Sequence, residues 1–111
     1  MVQPSSTTFK TKNANLEVVS KLVDKVCEKY TVSKHDIFSK GRTRDVVRAR
    51  SIIYNLLYEG YNVSLSSMAR LFNQDHTTII HSLRNKQDKK NYWGVENSIW
   101  EEFEELKRIT F

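Results

Sequence analysis

Residues 64–86 read SLSSMARLFNQDHTTIIHSLRNK, and this stretch decides the fold. Ser64 stands where a helix N-cap would, and Leu65, Met68, Ala69, Leu71 and Phe72 follow at helical spacing. Asn73, Gln74 and Asp75 form a polar turn. Asp75 then caps a second helix, whose Ile79, Ile80 and Leu83 are expected to face a core. A short helix, a tight turn and a second helix make the helix-turn-helix pattern, in which the second helix enters the DNA major groove tip first. That tip carries Asp75, His76, Thr77 and Thr78, short polar side chains that can donate, accept and offer a methyl group to base edges. A helix turns by about 100° per residue, so Thr77, His81 and Arg84 fall on one outward face.

Upstream, the apolar residues from 16 to 30 form a helical stripe with Asn15 as candidate N-cap, and Cys27 lies on it as a small core residue. Ser33 with Asp36 outlines a capping box before Ile37 and Phe38. Lys40, Gly41, Arg42, Thr43 and Arg44 make a basic loop. Asp45 opens a long helix whose wide apolar face runs through Val46, Ala49, Ile53 and Leu57, with Gly60 as its stop signal. Residues 1–14 are polar and are expected to form a flexible arm, leaving 15–111 as the folded domain. Downstream, Ile99, Trp100, Phe103 and Leu106 recur at helical spacing among Glu101, Glu102, Glu104 and Glu105, predicting an amphipathic acidic helix packed by its tryptophans. The expectation is an all-α bundle built around a helix-turn-helix.

The composition narrows the function. In 111 residues there are 18 Lys and Arg against 13 Asp and Glu, a net charge of +5. The charge is also divided: residues 1–90 hold 16 basic and 8 acidic side chains, residues 91–111 only 2 and 5. Such a basic body is drawn to polyanions. A single cysteine excludes an internal disulfide and a multi-cysteine zinc site. No apolar run is long enough to span a bilayer, so a cytoplasmic protein without membrane partners is expected. His76 and His81 are five residues apart, which misses the four-residue spacing of a helical zinc pair, so no metal is expected. Neither histidine has a nucleophile or orienting acid beside it in sequence, so no catalytic residue and no enzyme is predicted.

Two segments carry a family resemblance. Asp75-His76-Thr77-Thr78-Ile79-Ile80-His81-Ser82, preceded by Met68-Ala69-Arg70-Leu71-Phe72, resembles the signature of the C-terminal DNA-binding domain of the bacterial replication initiator DnaA. Ser39-Lys40-Gly41-Arg42-Thr43-Arg44-Asp45-Val46-Val47-Arg48-Ala49-Arg50 resembles the same domain's basic loop and the start of its long helix. The similarity extends from about Leu16 to the C-terminus. It implies double-stranded DNA as partner, at short DnaA-box-like sites, in control of replication initiation or transcription. It further implies base contacts by Asp75, His76 and Thr77 in the major groove and by Arg42 in the minor groove. Arg50 and His81 are implied to hold phosphates, with Thr78 a weaker match. The loop charges Lys40 and Arg44, and Arg84 on the helix, join them as expected phosphate contacts.

The chain departs from the family pattern in four places. The turn before Asp75 is one residue shorter, Gln74 stands where a basic residue is common, Gly41 replaces a basic loop residue, and Ser66 sits where proline often opens the first motif helix. No Gly-rich Lys-Ser/Thr phosphate loop occurs in these residues, so no nucleotide cofactor is expected. The expectation is a recognition domain acting alone by occupying sites, in a bacterial cell, with a phage or mobile-element origin compatible with that arrangement. The alternative is a protein-interaction module that binds a replication or transcription protein through the acidic C-terminal helix.

Overall fold

The helix of residues 44–60 is buried along its whole middle: every side chain from Ala49 to Leu57 is inaccessible, Arg50, Ser51 and Asn55 included. A helix covered on all sides has to be the axis of a bundle. In the computed structural model, which describes residues 16–41 and 43–110, the order is α1 (Leu16–Tyr30), α2 (Lys34–Phe38), α3 (Arg44–Gly60), α4 (Leu65–Phe72), α5 (His76–Gln87), α6 (Tyr92–Val95) and α7 (Asn97–Thr110). No strand occurs among the described residues, and α1, α2, α5 and α7 all pack on α3. The arm of residues 1–14 and the cap at Asn15 lie outside the described residues.

The core joins Val19, Leu22, Val23, Val26 and Cys27 of α1 to Ile52, Ile53, Leu56 and Leu57 of α3, Met68 and Phe72 of α4, Ile79 of α5, and Trp93, Ile99, Phe103 and Leu106. Burial pushes the Cys27 thiol up, as befits a core residue. Polar side chains inside pair along α3 and α6: Asn55 Nδ2 donates to the Ser51 carbonyl at 2.8 Å, and Trp93 Nε1 donates to Ser51 Oγ at 3.0 Å, while the Tyr54 hydroxyl has no partner. The predicted acidic helix is α7, closed on the bundle by Ile99, Phe103 and Leu106. Two of its acids face α1, where Lys29 Nζ donates to Glu105 Oε1 at 2.7 Å and the Tyr30 hydroxyl donates to Glu102. Among the described residues no helix is long and apolar enough to cross a membrane.

The ends of α1, α4 and α5 follow one device. Thr31, Asn73 and Lys89 have φ of 57°, 52° and 53°, and after each the next N–H donates five residues back: Val32 to Cys27 O, Gln74 to Ala69 O, Lys90 to Asn85 O. These are Schellman closures, which favour glycine in the left-handed position. No glycine of the described chain occupies one. Gly60 ends α3 where the sequence places its stop, but not as a left-handed cap. It is the buried last residue of α3, while the left-handed turn falls on Asn62, φ 54°.

Two further expectations change. Ile79 is fully buried, but Ile80 is half-exposed and outside the core, because α5 packs on α3 and α4 through the face that carries Ile79 and Leu83. The short helix α6 was not foreseen; its four residues offer too little periodicity to read. Two of the predicted caps form their hydrogen bonds, Ser33 with Asp36 as a capping box and Ser64 Oγ accepting from Ser67 N, whereas Asp75 takes the N-cap position of α5 without a side-chain capping bond.

Candidate nucleic-acid interface

The turn between α4 and α5 is held from both sides. Asn73 closes α4 in the left-handed conformation, and Asp75 enters α5 at φ −71° and ψ 149°, proper N-cap geometry. Its carboxylate makes no capping hydrogen bond, so Asp75 occupies the cap position without being used up by it. Ser66 Oγ lies 3.2 Å from His76 Nε2, pinning the first residue of α5 to the start of α4. Asp75, His76 and Thr77 are all exposed. So are His81 and Arg84, which continue the Thr77 face, while Thr78 is half-buried.

The basic loop sits beside that tip. Lys40 and Arg44 are exposed; Arg42, expected in the minor groove, lies outside the described residues. Arg50 differs from its expected place. Only 7% of it is accessible, because its guanidinium turns inward to the loop's own backbone. Nε donates to Ile37 O at 2.9 Å, Nη1 to Gly41 O at 2.6 Å, and Nη2 to Asp36 O at 2.7 Å and to Ser39 O. Expected to hold a phosphate, Arg50 is instead a clamp on the end of α2 and the loop. Its register could have disclosed this. It lies four residues after Val46 and three before Ile53, on the apolar stripe, where a charge must find internal partners.

Between loop, α3 and α5 opens a cleft of about 640 Å³. Lys40, Arg50, Asp75, Thr78 and His81 line it, five of the residues picked from sequence, together with Asn85, which sequence reasoning did not single out. His76, Thr77, Arg44 and Arg84 stand outside the cleft. A second depression of about 610 Å³ lies on the other side of the turn, lined by Ser66, Arg70, Asn73, Asp75 and His76. Asp75 borders both. Gln74 also borders both, and its Nε2 donates to Ser39 O at 3.1 Å, a contact no sequence signal announced.

Residues 19–85 match the family described as bacterial dnaA protein helix-turn-helix, which covers α1 through nearly all of α5. The chain belongs to that family. Chromosomal replication initiator DnaA of Caldanaerobacter subterraneus subsp. tengcongensis is 31% identical over 97 residues, 86% of this chain and 21% of that protein. DnaA of Brucella abortus is 32% identical over 99 residues, 88% of this chain and 19% of the relative. DnaA of Leptospira biflexa matches at 32% over 62 residues, 56% of this chain and 14% of the other. The chain thus spans about a fifth of the first two DnaA relatives. The matched region contains the turn between α4 and α5, and Asp75, His76 and Thr77 stand exposed at the start of α5.

Proposed function

We propose that this protein binds double-stranded DNA sequence-selectively at DnaA-box-like sites, and that it controls replication initiation or transcription by occupying them. The observation that carries the reading is the placement of Asp75, His76 and Thr77, exposed at the start of α5, beside a basic loop clamped to the same face by Arg50. In this reading the tip of α5 reads base edges in the major groove while the loop, with Arg42, follows the adjacent minor groove. Lys40, Arg44, Thr78, His81 and Arg84 neutralise or hydrogen-bond phosphates, and these contacts set affinity and orientation rather than sequence. Arg50 acts by holding the loop in shape. No catalytic step belongs to this reading, and residues 15–111 act as the binding domain.

Selection of bound duplexes from a random pool tests the function directly. Enrichment of one short motif is the expected result, and recovery of unrelated sequences at equal affinity would defeat it. A titration at two salt concentrations accompanies it: replacing several counterions makes affinity fall steeply as salt rises. The curated relatives carry the name chromosomal replication initiator, and a site resembling theirs would favour the replication arm.

A further inference from the structure

The two segments that would touch DNA are far apart in sequence, yet they meet at one atom. The Ser39 carbonyl oxygen accepts from Gln74 Nε2 at 3.1 Å across 35 residues, and from Arg50 Nη2. Arg50 fixes the loop to α3 through Ser39 and Gly41; Gln74 fixes the same loop to the turn that aims α5. Gln74 immediately precedes Asp75, and it is half-buried with its amide committed to the loop.

We infer that Gln74 is a positioning residue that sets the register between the basic loop and the tip of α5, so that both engage one duplex at a fixed offset. This rests on the DNA-binding reading above. A duplex presents its two grooves at a set spacing, and a protein that touches both gains most when its two contact elements are already held at that spacing. With the tether the loop's cations arrive in place. Without it the loop keeps Arg50 and its own bonds to the end of α2 but loses its tie to the turn before α5, and its position relative to Asp75–Thr77 becomes slack. The offset is also a specificity device. It decides which flanking base pairs lie under the loop once α5 has chosen its own.

Gln74→Met keeps length and neutrality and removes the donor; Gln74→Ala removes donor and bulk together. In the free protein, amide hydrogen exchange at Ser39 and Gly41, whose N–H groups donate to Asp36 O and Ser39 Oγ, is expected to accelerate about fivefold in both variants, the loss of one neutral hydrogen bond, with α3 unchanged. On DNA, both variants keep the parent's base preferences under α5, lose discrimination at the loop-side flank, and weaken about fivefold with the same salt slope. Unchanged exchange in Gln74→Met overturns the inference, and so does a Met variant that behaves as the parent while the Ala variant does not. Equal weakening on every duplex, with the flanking preferences intact, also overturns it, because Gln74 is then itself a phosphate contact. Failure of the parent to select any sequence would instead strike the DNA-binding reading. Selective binding by the parent with no change at the flank in either variant would strike this inference alone.

Discussion

The ammonium of Lys86, in the last turns of α5, lies 4.4 Å from the centre of the Phe103 ring and 4.8 Å from that of Trp100, both on α7. Glu59 Oε2 of α3 accepts from it at 2.7 Å, and the Lys86 side chain is only 12% accessible. One charge therefore ties the far end of α5 to α3 and α7, with its ammonium set against aromatic rings. A partly desolvated cation over aromatic faces is worth about 2 kcal/mol. Lys86→Met, which keeps the apolar stem, should destabilise the protein by about 1–3 kcal/mol, because Glu59 then loses a partner as well. Urea unfolding measures it. DNA base preferences should be unchanged well below the melting temperature, since Lys86 faces α7 and not the exposed face of Thr77, His81 and Arg84.

The helix closures give a second prediction, of opposite sign. Thr31 and Lys89 sit at φ 57° and 53°, where a Cβ meets the following carbonyl at a cost of about 1–2 kcal/mol. Glycine relieves that cost but adds entropy to the unfolded chain, so Thr31→Gly and Lys89→Gly should each stabilise by about 0.5–1 kcal/mol. They are distant and should add. Asn73→Gly should gain less, because asparagine already tolerates the left-handed region. Gly94 is the contrast: an added Cβ would lie 2.1 Å from the Lys89 carbonyl oxygen, so Gly94→Ala must displace the start of α6 and lower the melting temperature. Thermal scans of the four variants check the order.

These cases also mark what the sequence could disclose. The apolar stripes of α1, α3 and α7 repeat over three or more turns, so their existence and buried faces were legible, and so was the helix-turn-helix, because Ser64 and Asp75 punctuate it. Ile80 is hard to place from sequence because Ile79 and Ile80 are adjacent and only the packing of α5 on α3 and α4 decides which of them turns inward. At the candidate site, residue types announced the tip of α5. They could not announce Arg50 turning inward or Gln74 reaching Ser39, since both depend on where carbonyls of a distant loop lie.

Stability at alkaline pH should report the buried tyrosines. Burial pushes the Tyr54 phenol up to about 12 from its ordinary value of 10.0, slightly opposed by Arg50. Burial also raises Tyr30, with the Glu102 hydrogen bond adding to it, and raises Tyr61 and Tyr92. In each the folded state holds a proton that the unfolded state gives up first. The associated stability is complete below pH 10 and is lost as pH rises, through about 12 for Tyr54. Unfolding free energy should be level from about pH 7 to 9 and then fall. The Tyr54 hydroxyl is buried without a hydrogen-bond partner, so Tyr54→Phe should raise stability at neutral pH by about 1 kcal/mol and also blunt the alkaline decline. A Phe variant less stable than the parent at pH 7 would contradict this.

Reading and positioning within α5 can be separated by substitution. Thr77 is exposed in the first turn, where helix-turn-helix geometry brings side chains to the groove floor and where its methyl and hydroxyl can meet a base edge. His81 is exposed one turn later on the same face and borders the cleft with Lys40, where a backbone phosphate would pass. Replacing Thr77 with Gln should change which duplexes bind, by about 1–3 kcal/mol at one or two positions. His81→Ala should weaken good and poor sites about equally, because phosphates carry no sequence information directly. Folding controls come from the neighbours. Ile79 is fully buried and Ile80 half-exposed, so Ile79→Asp should unfold the domain by placing an unpaired carboxylate in the core, whereas Ile80→Asp should leave it folded and weakened. Thr77→Gln should melt within about 0.5 kcal/mol of the parent, as an exposed change does. Binding of each variant to a panel of single-base duplexes decides the matter. If the Thr77 variant retains the parent's preferences and the His81 variant alters them, α5 meets base edges with its second turn rather than its first, displaced along its axis from the proposed docking.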